Sequence, residues 1–494
     1  MSGNETIVMK QNEQPSNNLG SVETITTTTE LSNTEMAKVI AASTVGTTIE
    51  WYDFFVYGSL STVLAQQFYR TGTPSGDLIV FLGSYAVGFI VRPFGAVVFG
   101  AIGDFIGRKY TFALTLIMMG LCTFLIGCVP TLEGSYSIGV TSGYILIFLR
   151  IVQGLAIGGE YGGAATYVAE HSVHGKRGFY TSFIQISAVL GLFLSLLVII
   201  IVRLACGEAA FVSWGWRICF WLSGFLVVGA LYIRLKMNES PLFLKVKESG
   251  KGSQSAWNAL VMSFGNRYNL GYVALALFGA TMGQGVVFYT SQFYPLTFIQ
   301  STLKTPLISS YMIVGIPLLL ASPLYVLFGY LSDRYGRKKF MLLGMFLASA
   351  TYYPLFMGLH YYRPYVDPTA KPLVSSDNYS PFMMSLFIFI MATYSALCYG
   401  PIAAFLVELF PTSIRYTSLS LPYHIGNGVF GGLVPVIGVT VAKVTGNIFG
   451  GLYYPIGIIA ISFIVGLIFL PETNEVDISV DTPKEGENAG SPKN

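Results

Sequence analysis

Twelve apolar runs, each long enough to cross a bilayer and separated by short clusters of charge, limit what this 494-residue chain can fold into. They fall at about 38–67, 77–103, 110–130, 142–168, 179–205, 214–235, 269–300, 307–331, 340–361, 382–407, 419–442 and 447–470. A helix needs about 20 apolar residues to span hydrocarbon. Charged residues make up only 11% of the chain, against roughly 25% in soluble domains. The reading is an all-α membrane protein with twelve transmembrane helices.

The connections carry a second signal. Loops after runs 2, 4, 6, 8 and 10 hold Arg108/Lys109, Lys176/Arg177, a basic cluster within 234–267, Arg334/Arg337/Lys338/Lys339, and Arg415. The alternate loops hold chiefly Arg70, Lys304, Arg363 and Lys371. Positive charge collects on the cytoplasmic side, so both termini are expected there, in a multi-pass protein of the cell membrane. Residues 1–36 and 475–494, polar and without a signal-peptide core, read as flexible cytoplasmic tails. Between them lie expected halves at 37–236 and 268–474, joined by a polar linker at 237–267.

Several classes are excluded or unsupported. The net charge of +3 is small, and no basic stripe with interleaved aromatics points to nucleic acid. No GxxxxGK[ST] loop is present to cradle a nucleotide phosphate. The five cysteines stand singly, and the four histidines form no metal-ligand cluster beyond the spacing of His171 and His174. No nucleophile constellation suggests an enzyme, and no cofactor or metal is expected.

The chain also repeats itself. Asp104-x-x-x-Arg108-Lys109 follows run 2, and Asp333-x-x-x-Arg337-Lys338 follows run 8, with Arg334 in the second copy only. Glu170 and Arg177 bracket the end of run 4, as Glu408 and Arg415 bracket the end of run 10, seven residues apart in each pair. Run 6 exits through "NESPLF" and run 12 through "PETN". Three landmarks recurring in order imply two homologous six-helix halves with a binding site between them near the midplane. An acid facing an arginine on a neighbouring helix closes one face as an ion pair. Exposed pairs are worth only about 0–1 kcal/mol, which suits a switch.

"GDFIGRK" and "LSDRYGRK" resemble the duplicated loop signature of the major facilitator superfamily, over about residues 37–474. The resemblance implies two six-helix pseudo-symmetric halves. Phe105 stands where that signature commonly has Arg, which implies a weaker latch in the first half. "GTTIEWYDFFVYG", "RPFGAVVFGAIGD" and "RIVQGLAIGGEYGGA" resemble the metabolite:proton symporter branch. Its members carry 2-oxoglutarate, citrate, shikimate, proline or glycine betaine.

Ionisable residues at membrane depth cost about 2.5–3.5 kcal/mol each on insertion scales, so each needs a reason. Glu50 and Asp53 lie three apart on run 1, with Tyr57 four residues further on. Two carboxylates that close cannot both ionise cheaply, so one is expected to hold a proton. The alternative is a structural pairing with an arginine; Asp53 lies nearer the midplane. Arg150, Gln153 and Glu160 share one side of run 4. Arg150 offers a planar fork for a substrate carboxylate or a partner for Glu50 or Asp53. Glu160 is a second candidate proton group or a partner for Arg92, which lies toward the cytoplasmic end of run 2 and can snorkel. Gly154, Gly158 and Gly162 form a small-residue stripe for close helix packing.

Runs 7–12 lack central charge and offer Gln284, Tyr289, Gln292, Tyr399, His424 and Asn427, as substrate contacts or as packing. The expected function is proton-coupled symport, by a monomer, of a small organic anion or zwitterion. A sugar or phosphate symporter, and a sensor on the same fold, are the alternatives.

Overall fold

The computed structural model describes residues 33–133, 137–173, 175–235, 244, 255–364 and 378–478; the side chains of Arg108 and Lys109 lie outside that description. So do residues 1–32 and 479–494, and with them most of the expected tails. Among the described residues every regular element is helical. Ten helices are long and apolar enough to cross a membrane: α2 (Pro74–Ile106), α4 (Thr141–His171), α5 (Arg177–Cys206), α6 (Glu208–Tyr232), α7 (Arg267–Thr302), α8 (Leu307–Tyr335), α9 (Arg337–Tyr361), α10 (Pro381–Leu409), α11 (Arg415–Thr445) and α12 (Gly450–Phe469). The remaining two of the twelve are α1, built from Asn33–Ser59 and Ser61–Phe68, and α3 (Arg108–Cys128). Such a bundle satisfies its backbone within each helix, which hydrocarbon demands.

The two six-helix halves meet along two related seams, α5 against α8 and α2 against α11. Within the first half α2 and α4 cross closely because glycines face one another. A Cβ at Gly154 would run into the Gly88 carbonyl, and one at Gly158 into the Arg92 carbonyl. At the seam, a Cβ on Gly162 would strike Ser420 and Tyr416 of α11.

The repeated motif places the same device at both seams. Gly107 and Gly336 turn the chain sharply after α2 and α8, at φ of 126° and 101°, a region that disfavours any side chain. Asp104 Oδ2 then accepts from the Thr417 amide (3.1 Å) and hydroxyl (2.6 Å) at the start of α11. Asp333 accepts from the amides of Gly178 and Phe179, both at 2.8 Å, at the start of α5. Each acid thus caps a helix of the opposite half, where free N–H groups and the helix dipole favour negative charge.

The second motif pairs crosswise. Glu170 meets Arg415 (3.1 Å), and Glu408 meets Arg177 (3.4 Å), so each acid reaches the arginine of the other half. Arg337 grips Glu408 with two nitrogens (3.2 and 3.0 Å) and Asp333 with a third (2.7 Å). The expectation of weak, exposed latches is corrected here. Arg415, Arg177 and Arg337 are all buried, and removing one partner of a buried pair costs about 3–5 kcal/mol. In the first half, Asp104 and Glu170 both reach α11, and Phe105 is exposed. Arg334 stacks on Tyr330 (4.8 Å) and is exposed, while Lys338 bonds the Leu467 carbonyl of its own half (3.0 Å). Neither joins the network between halves.

Residues 475–478, expected to begin a flexible tail, instead dock on this charged face: Val476 and Ile478 accept hydrogen bonds from Arg177 and Arg415. The opposite face closes differently. Phe55 stacks on Phe293 at 5.9 Å, Tyr85 meets Phe293 at 5.5 Å, and Tyr311 donates to the Ser59 carbonyl at 3.0 Å. One face is held by charge and the other by aromatic packing, which leaves an occluded interior.

Two outcomes follow. Gly158→Ala should lower the thermal unfolding midpoint of the purified protein by the equivalent of about 1–3 kcal/mol, the usual effect of overpacking. Gly83→Ala, where a Cβ meets nothing within 4 Å, should be neutral. Arg415→Ala should open the charged face, raising thiol labelling of a cysteine placed at buried Ser420; Glu170→Gln in that background should restore part of the closure.

Candidate functional site

The occluded interior contains a narrow cavity of about 20 Å³, room for little more than a single water in this closed conformation. Four elements build it. From α1 come Thr47, Glu50, Trp51 and Phe54, residues at helical spacing on one face. Helix α2 supplies Arg92, α4 supplies Ile157, Glu160 and Tyr161, and α11 supplies Tyr423 and His424.

Local backbone features aim these side chains. Helix α4 is interrupted at Gly159 and Glu160, so Glu160 begins a fresh helical segment, Tyr161–His171, instead of lying mid-helix. In α11 the stretch His424–Gly431 is a π-helix, a distortion that often accompanies functional positions. The glycine-to-glycine crossing of α2 on α4 brings the Arg92 backbone against Gly158, one residue along from Ile157 of the cavity wall.

The charges of the cavity lie among rings. The Arg92 guanidinium is 4.3 Å from the Phe54 ring centre, 4.5 Å from Phe89 and 5.8 Å from Trp51. Its Nε and Nη2, and both ring nitrogens of His424, are buried without a hydrogen-bond partner among the described residues. The Tyr289 hydroxyl lies beside Arg92. On the acidic side, Thr47 donates to Glu160 Oε1 at 3.3 Å. Tyr161 stacks on Tyr423 at 3.4 Å across the seam between the halves. Gln185 donates to the Tyr161 hydroxyl at 2.7 Å, and the Tyr399 and Tyr423 hydroxyls bond each other at 2.5 Å. These tyrosines separate the cavity from the charged face.

Of the residues singled out in the sequence, Glu50, Glu160, Arg92 and His424 meet in this cavity. The others lie elsewhere. Arg150 is behind Phe54, in a cage of Tyr57 (4.1 Å), Tyr85 (4.7 Å) and Phe54 (4.8 Å). It donates to Gln153 (2.6 Å), which donates in turn to Thr123 (2.6 Å). The alternative pairing with Glu50 or Asp53 is replaced by these aromatic faces. Tyr57 bonds Ser84 (3.0 Å) and stacks on Phe81. Asp53 is fully buried and turned out of the cavity, beside Ser223 of α6.

In the second half Asn427 and Gln284 bond each other, Asn427 donating at 2.8 Å and Gln284 at 3.2 Å. Gln292 bonds Tyr325 and Ser395. Asn427 and Gln284 are thus committed to each other, while the Tyr289 hydroxyl, Gln292 Oε1 and both ring nitrogens of His424 are buried without a partner among the described residues. What residue-type reasoning missed is the aromatic wall. Trp51 and Phe54 stand one and four residues after Glu50, on its helix face, and Tyr161 and Tyr423 are immediate neighbours of Glu160 and His424. That spacing was a usable signal.

The family profile described as "Sugar (and other) transporter" matches residues 38–258 and 245–480. The glycine betaine/proline/ectoine/pipecolic acid transporter OusA of Dickeya dadantii is 30% identical over 455 residues, covering 91% of this chain and 86% of that protein. The inner membrane metabolite transport protein YhjE of Escherichia coli is 32% identical over 415 residues, covering 81% and 86%. The E. coli proline/betaine transporter is 28% identical over 468 residues, covering 93% and 88%. Among solved structures, that of a D-xylose–proton symporter superposes with a TM-score of 0.64 at 20% identity, covering 88% of this chain and 98% of the symporter; it shares the fold. With twelve helices in two halves and profile matches across nearly the whole chain, this protein belongs to the sugar (and other) transporter family of the major facilitator superfamily, and is a membrane transporter.

Proposed function

We propose that this transporter carries a small zwitterionic or carboxylated solute together with a proton, by alternating access, across the cytoplasmic membrane. The observation that carries the reading is the composition of the cavity: Arg92 and His424 with unpartnered nitrogens, two acids, and walls of aromatic rings. A guanidinium with free donors is a fork for a carboxylate. Acids among Trp, Phe and Tyr faces suit an ammonium group, which carboxylates and ring quadrupoles both attract. Relatives named for proline, betaine and ectoine support the same solute class.

A sugar is less well matched. Hydroxyl-rich ligands call for amide side chains with spare donors and acceptors, whereas Gln153, Gln284 and Asn427 already bond within the protein and no amide side chain lines the cavity. The basic loops support placing the charged face, and both termini, in the cytoplasm.

Glu50 and Glu160 are the proposed proton-coupling groups. Both line the cavity, so both meet whichever solution the cavity opens to. Two carboxylates sharing one low-dielectric chamber do not both ionise cheaply. A proton binding there leaves Arg92 to the substrate carboxylate, and rocking of the halves then carries both across. Asp53, off the cavity beside Ser223, is proposed as a structural acid and not the coupling site.

Uptake into proteoliposomes, with and without an imposed pH gradient, over a panel of betaines, proline, dicarboxylates and sugars, tests the reading. Uptake confined to sugars would overturn it. Arg92→Lys should raise KM for the carboxylated solute by about tenfold to a hundredfold, the worth of one lost hydrogen bond between charged groups. Arg150→Lys should leave KM nearly unchanged and lower thermal stability instead. Glu160→Gln or Glu50→Gln should abolish accumulation driven by a pH gradient while sparing solute exchange. Asp53→Asn should retain uphill accumulation.

A further inference from the structure

The chain does not end its work at the last span. After Phe469 the helix stops and the backbone becomes extended at Leu470. Residues 471–478 then run across the charged face, where their contacts fall on both halves. The Glu472 carboxylate takes the backbone amides of Arg337 (2.6 Å) and Lys338 (3.2 Å) at the start of α9. The Thr473 hydroxyl donates to Glu408 Oε2 at 2.8 Å, on the acid that already holds Arg177 and Arg337. Arg177, of the first half, donates to the Val476 carbonyl at 2.6 Å. Arg415, of the second half, donates to the Ile478 carbonyl at 3.3 Å, and Thr412 donates to the same oxygen at 2.9 Å. The Ile478 side chain is itself only 6% exposed.

These contacts share one property. Both arginines that pair across the seam, Arg177 and Arg415, spend a donor on the backbone of this segment, and the hydroxyl of Thr473 shares Glu408 with Arg177. A guanidinium has five donors in a rigid fork, and burial penalises each one left over. The segment supplies carbonyls to those donors only while the two halves are together, because Val476 and Ile478 bind opposite halves two residues apart. Opening the charged face separates Arg177 from Arg415, and three residues of chain cannot follow both.

We propose that residues 473–478 form a strap that locks the charged face shut and must undock before that face opens, so the segment sets how often the transporter opens there. The strap rests on the reading of this face as a gate, and on no assumption about solute or coupling ion. It makes the stretch beyond Ile478 a handle: anything that pulls on or binds that stretch would change the gate without touching the cavity.

The test compares full-length protein, a chain ended after Asn474, a chain ended after Val480, and Ile478→Asp, Ile478→Val and Arg415→Ala. Each carries Ser420→Cys, and the rate of modification by a polar maleimide is measured in detergent against the same chain without that cysteine. Ending the chain after Asn474, or Ile478→Asp, should accelerate labelling about tenfold, the effect of losing one hydrogen bond to a charged group. The chain ended after Val480 and Ile478→Val should label at the parent rate. Should the shortest chain fail to fold, Ile478→Asp carries the comparison alone. Parent rates in both strap variants, with Arg415→Ala accelerated, would overturn the strap and leave the gate standing. Parent rates in all three, Arg415→Ala included, would overturn the gate and the strap with it.

Discussion

Charge buried in a low-dielectric bundle must find a partner, and nearly everything distinctive in this structure answers that constraint. On the charged face the partners come from across the molecule. Asp104 and Asp333 cap helices of the opposite half, and Glu170 and Glu408 take each other's arginine. A latch of this kind is cooperative, because separating the halves uncovers several buried charges at once. Water reaching the opened face is what makes the separation possible, since the same groups are then solvated.

The interior solves the same problem with rings. Arg150 lies against Tyr57, Tyr85 and Phe54 and not against Glu50 or Asp53. Phe54 also touches Arg92, so one ring stands between a structural guanidinium and one that faces the cavity. This explains how two buried arginines coexist in one half. Each uses π-faces to offset the loss of water and keeps two nitrogens without a partner among the described residues, but only Arg92 lines the cavity. The tyrosine pair Tyr161–Tyr423 divides the chamber from the charged face and draws one ring from each half. Movement between the halves must therefore break that stack along with the ion pairs.

The sequence by itself determined the architecture and pointed to the acids and arginines that meet between its halves. Apolar runs of spanning length leave a chain no other home than a bilayer, and the recurring Asp-x-x-x-Arg-Lys and Glu…Arg pairs announce two related halves. Those signals survive because they depend on composition and spacing alone. The glycines of α4 were equally legible, since a stripe of small residues has meaning only as a close crossing. Glu50, Glu160, Arg92 and His424 were visible as costly residues at membrane depth.

The tertiary structure alone decided which of these groups share a chamber. Helical periodicity places Asp53 within one turn of Glu50, yet the angle between them turns Asp53 toward α6 and Glu50 toward the cavity. Arg150 and Arg92 carry the same fork, and only the seating of Phe54 between them tells which one faces the cavity. The interruption at Glu160 follows the Gly158-Gly159 pair and the π-helix at His424 runs through a glycine-rich stretch, yet neither mark tells which cavity the side chains reach. The crossing of Glu170 to Arg415, and of Glu408 to Arg177, requires knowing how the halves face each other. So does the docking of Val476 and Ile478, because backbone carbonyls carry no residue type to read. Chemistry was written in the residues; partnership was settled by which helices the fold brings within reach.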